Sequence, residues 1–228
     1  TPYGKGTGDI EGFPSYLCRL AIAHSVSVVD LYNYLLTYGK RFSIVPFEFK
    51  RKKTLYLAAL VSGSKQLRLL IKAIEELLGT SLQGTNFSML GNGLSIPRRD
   101  ISRSFKWCPV CLNEMEDEGI EPYIKLIWLL NDTLICNRHL IPLQDKCHMC
   151  GKAQHLSSNR SSFRFCSYCE AELAGYVFKT DVQASWFQYG NDLSEFLEEY
   201  IANYQPVETV DLNRTFIPKI GLSQSLYF

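Results

Sequence analysis

No apolar run in this sequence approaches the roughly 18–20 residues of a membrane-spanning helix, so no contact with a membrane is expected. Net charge is nearly absent. The 24 lysines and arginines against 23 acidic residues leave +1. A chain that coats DNA or an anionic bilayer over its whole surface is thereby excluded, and any nucleic-acid contact must come from local patches. The opening stretch, TPYGKGTGDIEG, has neither a Met nor the apolar core of a secretory leader, which predicts a non-secreted chain in processed or trimmed form. Signatures of several enzyme classes are missing as well. There is no G-x-x-x-x-G-K-[ST] phosphate loop, so ATP hydrolysis by this chain is not expected. Neither H-E-x-x-H nor the H-x-E ahead of P-C-x-x-C of a zinc deaminase occurs. No acidic pair stands out as a two-metal nuclease or transposase centre.

What the chain does have is cysteine. Seven of its eight cysteines fall between positions 108 and 169. They arrive as two-residue hooks: Cys108 and Cys111, Cys136 with His139, Cys147 and Cys150, and Cys166 and Cys169. A disulfide-bonded secreted domain is the competing reading, and four N-x-[ST] sites (Asn86, Asn131, Asn159, Asn213) would suit it. Hooks with two intervening residues instead favour metal, because a tight turn aims both side chains at one ion. Four N or S donors in a tetrahedron close a structural zinc site, so four hooks predict two Zn2+ ions. Such sites leave no position for a reactive water, which predicts a protein that is not an enzyme.

Which hooks pair is open at this level. Sequential pairing joins Cys108, Cys111, Cys136 and His139 on one ion, and Cys147, Cys150, Cys166 and Cys169 on the other. The intervening loops hold 24 and 15 residues, and only the second falls in the usual ribbon range of about 15–20. The longer loop must therefore contain structure, and Tyr123, Leu126, Ile127 and Leu130 predict a helix there. Cross-bracing of first with third hook is the alternative, since only seven residues separate His139 from Cys147. His148 and His155 lie close enough to substitute for a ligand but read as surface residues. Cys18 sits in a helical apolar stripe and reads as core. Trp107 and Trp128 read as packing around the metal sites.

The rest is helical in pattern. Tyr16, Leu17, Leu20 and Ala21 share one face, with Pro14 in the first turn. Ser27 is a candidate N-cap for a second helix carrying Val28, Leu31, Tyr32 and Leu35 and ending at Gly39. The pair is helix-turn-helix-like, a pattern any αα-hairpin shares. Two more helical stretches are expected on either side of Gly63, with Ser64 as cap and Gly79 as stop. Residues 80–104 read as a connector, with a short strand at most. NDLSEFLEEYIANY predicts a helix in the tail. The expected fold is mainly α with small β zinc-ribbon elements. It divides into an N-terminal helical domain and connector (1–104), a tandem zinc-binding module (105–175) and a C-terminal helical tail (176–228). Two basic groups are candidate phosphate contacts: Arg51, Lys52 and Lys53 within the run from Lys50, and Arg98, Arg99, Arg103 and Lys106 before the first hook.

The order K-W-C-P-V-C-L, then Tyr123 and Trp128 five apart, then C-N-R-H-L-I-P-L and C-H-M-C-G, with a later C-S-Y-C, resembles the TniQ/TnsD family of bacterial transposition proteins. The opening helices after E-G-F-P fit the same family, and the likeness covers about residues 11–175. The resemblance implies a cytoplasmic, non-enzymatic adaptor for target-site selection in DNA integration. Such a protein connects a target to an AAA+ ATPase of the TnsC/TniB type, which recruits the transposase complex. The target is either DNA read directly or a site marked by a guide-RNA effector complex in a CRISPR-associated transposon. Short members fit the second role better, and part of the family forms homodimers. An autonomous sequence-specific, zinc-containing DNA-binding protein is the alternative.

Overall fold

The computed structural model describes residues 1–62, 64–87, 96, 98–155 and 162–174, together with 192, 195–196, 198–200 and 202–203. Among these residues the fold is mainly helical, with one two-stranded sheet. Helix α1 runs Phe13–Ala23, α2 Val28–Arg41 and α3 Lys65–Leu78. A shorter helix, α4, spans Pro109–Asp117.

Local chemistry explains the starts and stops. Ser27 Oγ accepts from the Asp30 amide at 3.0 Å, capping α2. Ser64 Oγ does the same for Leu67 at the head of α3, and Gly79 closes that helix with φ at +60°. Gly39 does not end α2, contrary to the expectation from sequence. The helix continues to Arg41 because Gly39 is a packing position: a Cβ there would sit 2.5 Å from Val45 Cγ2 and 3.2 Å from Ala73 Cβ of α3. Of the two helical stretches expected around Gly63, only the second becomes an α-helix; the first is a 3-10 turn at Leu57–Leu60.

Helix α2 packs against both α1 and α3. Leu17, Leu35, Leu36, Leu70, Ile71 and Ile74 meet there, all fully buried. The same apolar cluster runs on through Phe13 to Trp107, Leu112, Trp128 and Phe163 near the cysteine hooks. Residues 10–12 make the join. Glu11 and Lys125 form an isolated antiparallel bridge, Leu126 N donates to Ile10 O at 2.9 Å, and Gly12 N donates to Ile124 O at 2.9 Å. Gly12 lies so close to Leu129 that a Cβ would fall 2.9 Å from its Cδ1.

Two elements differ from the sequence pattern. The helix expected over Tyr123–Leu130 is a single 3-10 turn, Leu126–Leu129, because Gly12 and Ile10 claim the backbone at its start, through Ile124 O and Leu126 N, and the Ser102 amide takes Leu129 O at its end. Helix α4 was not apparent as periodicity, since its nine residues start on a metal-type hook. The expected strand in 80–104 is not found among the described residues, where Arg98–Asp100 forms a 3-10 turn; 88–95 and 97 lie outside them. The tail helix is seen as helical residues 192, 195–196, 198–200 and 202, whereas 204–228 lie outside the described residues.

Candidate metal centres

Strands β1 (Ile135–Cys136) and β2 (Ile141–Pro142) form the hairpin that carries the second hook, paired Ile135 to Pro142 and Cys136 to Ile141. Its turn recurs. The Leu140 amide donates to Cys136 O at 2.7 Å, the Gly151 amide to Cys147 O at 2.9 Å, and the Glu170 amide to Cys166 O at 3.0 Å. In each, the residue just after the second donor is left-handed, with φ of +52°, +69° and +59°. Only the middle turn uses glycine. Leu140 and Glu170 adopt this conformation at a cost of about 1 kcal/mol or more, which the surrounding turn must over-determine. The first hook is built differently. Cys108 is the N-cap of α4, its Sγ accepting from the Cys111 amide at 3.5 Å, with Pro109 in the first turn.

These turns gather the eight donors into two groups, each with all donor atoms within 4.8 Å of one another. The grouping is sequential, not cross-braced. Cys108 Sγ and Cys111 Sγ each lie 3.3 Å from His139 Nδ1, while Cys136 Sγ lies 3.6 Å from both Nδ1 and Cys111 Sγ. In the other group Cys147 and Cys169 sulfurs are 3.6 Å apart, and those of Cys150 and Cys166 3.7 Å. A tetrahedral ion with metal–sulfur bonds near 2.3 Å has edges of roughly 3.7 Å, so both groups fit one ion each. None of the eight cysteines is joined in a disulfide. With four protein donors each, the two groups can hold two metal ions and offer no vacant coordination position.

Thiols this close cannot all ionise without a cation. Cys136 is held far below the ordinary thiol range by hydrogen bonds from Cys108 and then Cys111. Cys111 is pushed well above it by its hydrogen bonds to Cys108 and Cys136, with burial adding to the effect. A bound metal would hold all of these donors as thiolates.

Supporting residues surround the donors. His139 Nε2 lies 3.0 Å from Glu114 Oε1, so the ring edge turned away from the sulfurs is held by a carboxylate. In the second group the buried Gln154 donates from Nε2 to Cys166 Sγ at 3.3 Å and accepts the Ser167 amide at 3.1 Å. The amides of Met149 and Tyr168 point at Cys147 Sγ and Cys166 Sγ, each at 3.4 Å. Lys125 is buried, paired with Asp9, and its ammonium sits 5.2 Å from the Trp128 ring. Burial opposes that charge, but the neighbouring Cys111 and Asp9 outweigh it and raise the lysine above its usual range. None of Glu114, Gln154 and Lys125 was singled out from sequence. Glu114 carries one usable signal, three residues after Cys111 and on its helix face.

The other sequence candidates separate. Cys18 is fully buried in α1, and Trp107 and Trp128 are buried packing residues, with Trp107 Nε1 donating to Leu173 O at 3.1 Å. His24, at the end of α1, is exposed. His148 and His155 lie outside both donor groups, and His155 Nδ1 donates to Arg103 O at 3.0 Å. Arg51, Lys52, Lys53, Arg99 and Arg103 are exposed, and the Arg98 side chain lies outside the described residues. Lys106 corrects the sequence reading. Its ammonium is buried and donates to the carbonyls of Leu130 (2.5 Å), Asn131 (2.9 Å) and Thr133 (2.5 Å), so it braces the second hook's approach instead of meeting a phosphate.

Among the described residues no helix is long and apolar enough to cross a membrane. A search of curated proteins finds none that matches this chain. The first donor group, α1–α4 and the N-terminal brace at residues 10–12 all fall inside a stretch, residues 2–143, that matches the TniQ family. That stretch is more than half of the chain, and the chain belongs to the TniQ family.

Proposed function

We propose that this protein is a non-enzymatic target-selection adaptor that holds an AAA+ transposition ATPase at a target marked by DNA sequence or by a guide-RNA effector complex. Membership of the TniQ family implies an adaptor role in transposition. The observation that carries the finer reading is the pair of closed donor groups, joined through a continuous core to the N-terminal helices. With Zn2+ as the ion, each group is a cross-link that freezes loops without supplying chemistry. A surface stiffened this way suits docking, because little conformational freedom is lost when a partner binds. On this reading α1–α3 and the first donor group form the face that meets the ATPase, and the ATPase in turn recruits the transposase.

The test is co-purification of the zinc-loaded chain with an AAA+ transposition ATPase, with and without a guide-RNA effector complex. Retention of the ATPase that disappears when Cys111 is replaced supports the adaptor. A second reading, autonomous DNA binding, is favoured by the exposure of Arg51, Lys52, Lys53, Arg99 and Arg103. Tight, site-specific retention of duplex DNA by the chain alone, at two salt concentrations, would replace the first reading by the second.

A further inference from the structure

The end of α2 and the chain that follows it, residues 40–56, read KRFSIVPFEFKRKKTLY. Six cations face one carboxylate, Glu48, in a protein whose total charge is +1. Lys50, Arg51, Lys52 and Lys53 are all exposed. So are two aromatic rings that bracket them: Phe47 is 77% exposed and Tyr56 is 68%.

This segment is not a loose loop. It is pinned at two points. Val45 is buried against Gly39, and the Ile44 and Val45 amides both donate to Gly39 O, at 2.8 and 3.0 Å. Farther on, the buried side chain of Asn33 in α2 grips the backbone of Lys52 from both sides. Its Nδ2 donates to Lys52 O, and the Lys52 amide donates to its Oδ1, each at 2.8 Å. Phe49, between these points, is half-buried against the core. The basic run is therefore displayed on an anchored backbone while Phe47 and Tyr56 are left in water.

We propose that residues 47–56 form a binding site for single-stranded DNA, in which the cations hold phosphates and Phe47 and Tyr56 stack on bases. Charge complementarity selects a polyanion. Duplex DNA would satisfy the cations but hides its base faces inside the stack, leaving both rings without a partner. Unpaired bases offer those faces, and stacking is tolerant of sequence. DNA is the nucleic acid that a transposition protein handles. Anchoring through Asn33 lowers the ordering cost on binding. The inference does not depend on the ATPase being the docking partner.

The experiment is fluorescence anisotropy with the full chain and a labelled oligothymidine, its duplex of equal length, and the matching ribo-oligonucleotide. Phe47→Ala with Tyr56→Ala is expected to weaken single-strand binding by about 30-fold or more while leaving duplex binding unchanged. Phe47→Trp with Tyr56→Phe, which keeps both rings, is expected to retain the affinity. Lys52→Ala with Lys53→Ala should weaken binding and reduce the slope of log K against log salt by about 1.4, at about 0.7 per phosphate contact. Unchanged single-strand binding by the double alanine variant overturns the proposal. So does duplex bound as tightly as the single strand, or the ribo-oligonucleotide bound more tightly than the DNA. Capture of the ATPase by the double alanine variant reports separately on the adaptor reading.

Discussion

Glu114 Oε1 stands 3.0 Å from His139 Nε2, on the ring edge opposite the Nδ1 that faces Cys108 and Cys111. A proton on Nε2 given to this carboxylate leaves the Nδ1 lone pair free for an ion. Arg138 Nε also lies 3.4 Å from Glu114 Oε2, which helps to hold the carboxylate in place. Glu114→Ala is expected to lower metal affinity at the first donor group by about 10–100-fold and to leave the second unchanged. Chelator competition should show one of two ions leaving early. Two ions leaving at the wild-type rate would show that Glu114 does not orient the histidine.

Replacing a donor separates the two groups. Both reach the core of α1–α3, but the three cysteines of the first are all buried, whereas in the second Cys150 is half-buried and Cys169 is exposed. Cys111→Ser and Cys150→Ser are each expected to lower the metal content by one ion. The folding free energy at stake is on the order of 10 kcal/mol per site. Cys111→Ser should broaden the thermal transition of the whole helical signal, while Cys150→Ser should disorder mainly 145–174. Elemental analysis and thermal denaturation check both, and an undiminished metal content in either variant would void the assignment of that donor.

Gly39 and Val45 test the packing under the basic loop. A methyl at position 39 meets Val45 Cγ2 at 2.5 Å, so Gly39→Ala is expected to cost about 1–3 kcal/mol. Trimming the partner makes room. Val45→Ala in the same chain should recover part of that loss in urea denaturation, although Val45→Ala alone destabilises. Losses that simply add would mean that the two side chains do not meet.

Lys106 sets a pH dependence. Burial lowers its pKa to about 8, with Asp132 and Asp145 opposing the shift. In the unfolded chain it returns to the usual lysine value of about 10.4. Between these values the unfolded state binds more protons, so stability rises with pH across roughly 8 to 10.4 and is lowest below that window. The contribution is up to about 3 kcal/mol. Urea denaturation of the wild type and Lys106→Met at pH 7.5 and 10 isolates it. A gap between the two proteins that does not change with pH would refute the shift.

The donors were legible because each hook is local. Two residues between ligands is a distance that a single turn enforces, whatever surrounds it. The caps at Ser27 and Ser64 and the stop at Gly79 were legible for the same reason, since each acts on its own helix end. Gly39 misled because its role lies in Val45 and Ala73, which touch it only after the chain returns. The 3-10 turn at Leu126–Leu129 was hidden likewise: Ile10 and Gly12, more than 110 residues earlier, take the hydrogen bonds a longer helix would have used.

By itself, then, the amino-acid order determined the eight candidate donors, the boundaries of α3, the apolar faces of α1 and α2 and the local excess of positive charge. Each of these is set by neighbours within a turn or two. Tertiary structure decided which hooks share a centre, that Glu114 and Gln154 support them, that Lys106 turns inward and that Asn33 anchors Lys52. Those outcomes depend on contacts between residues far apart in the chain, where burial and hydrogen-bond partners exist only once the core has closed.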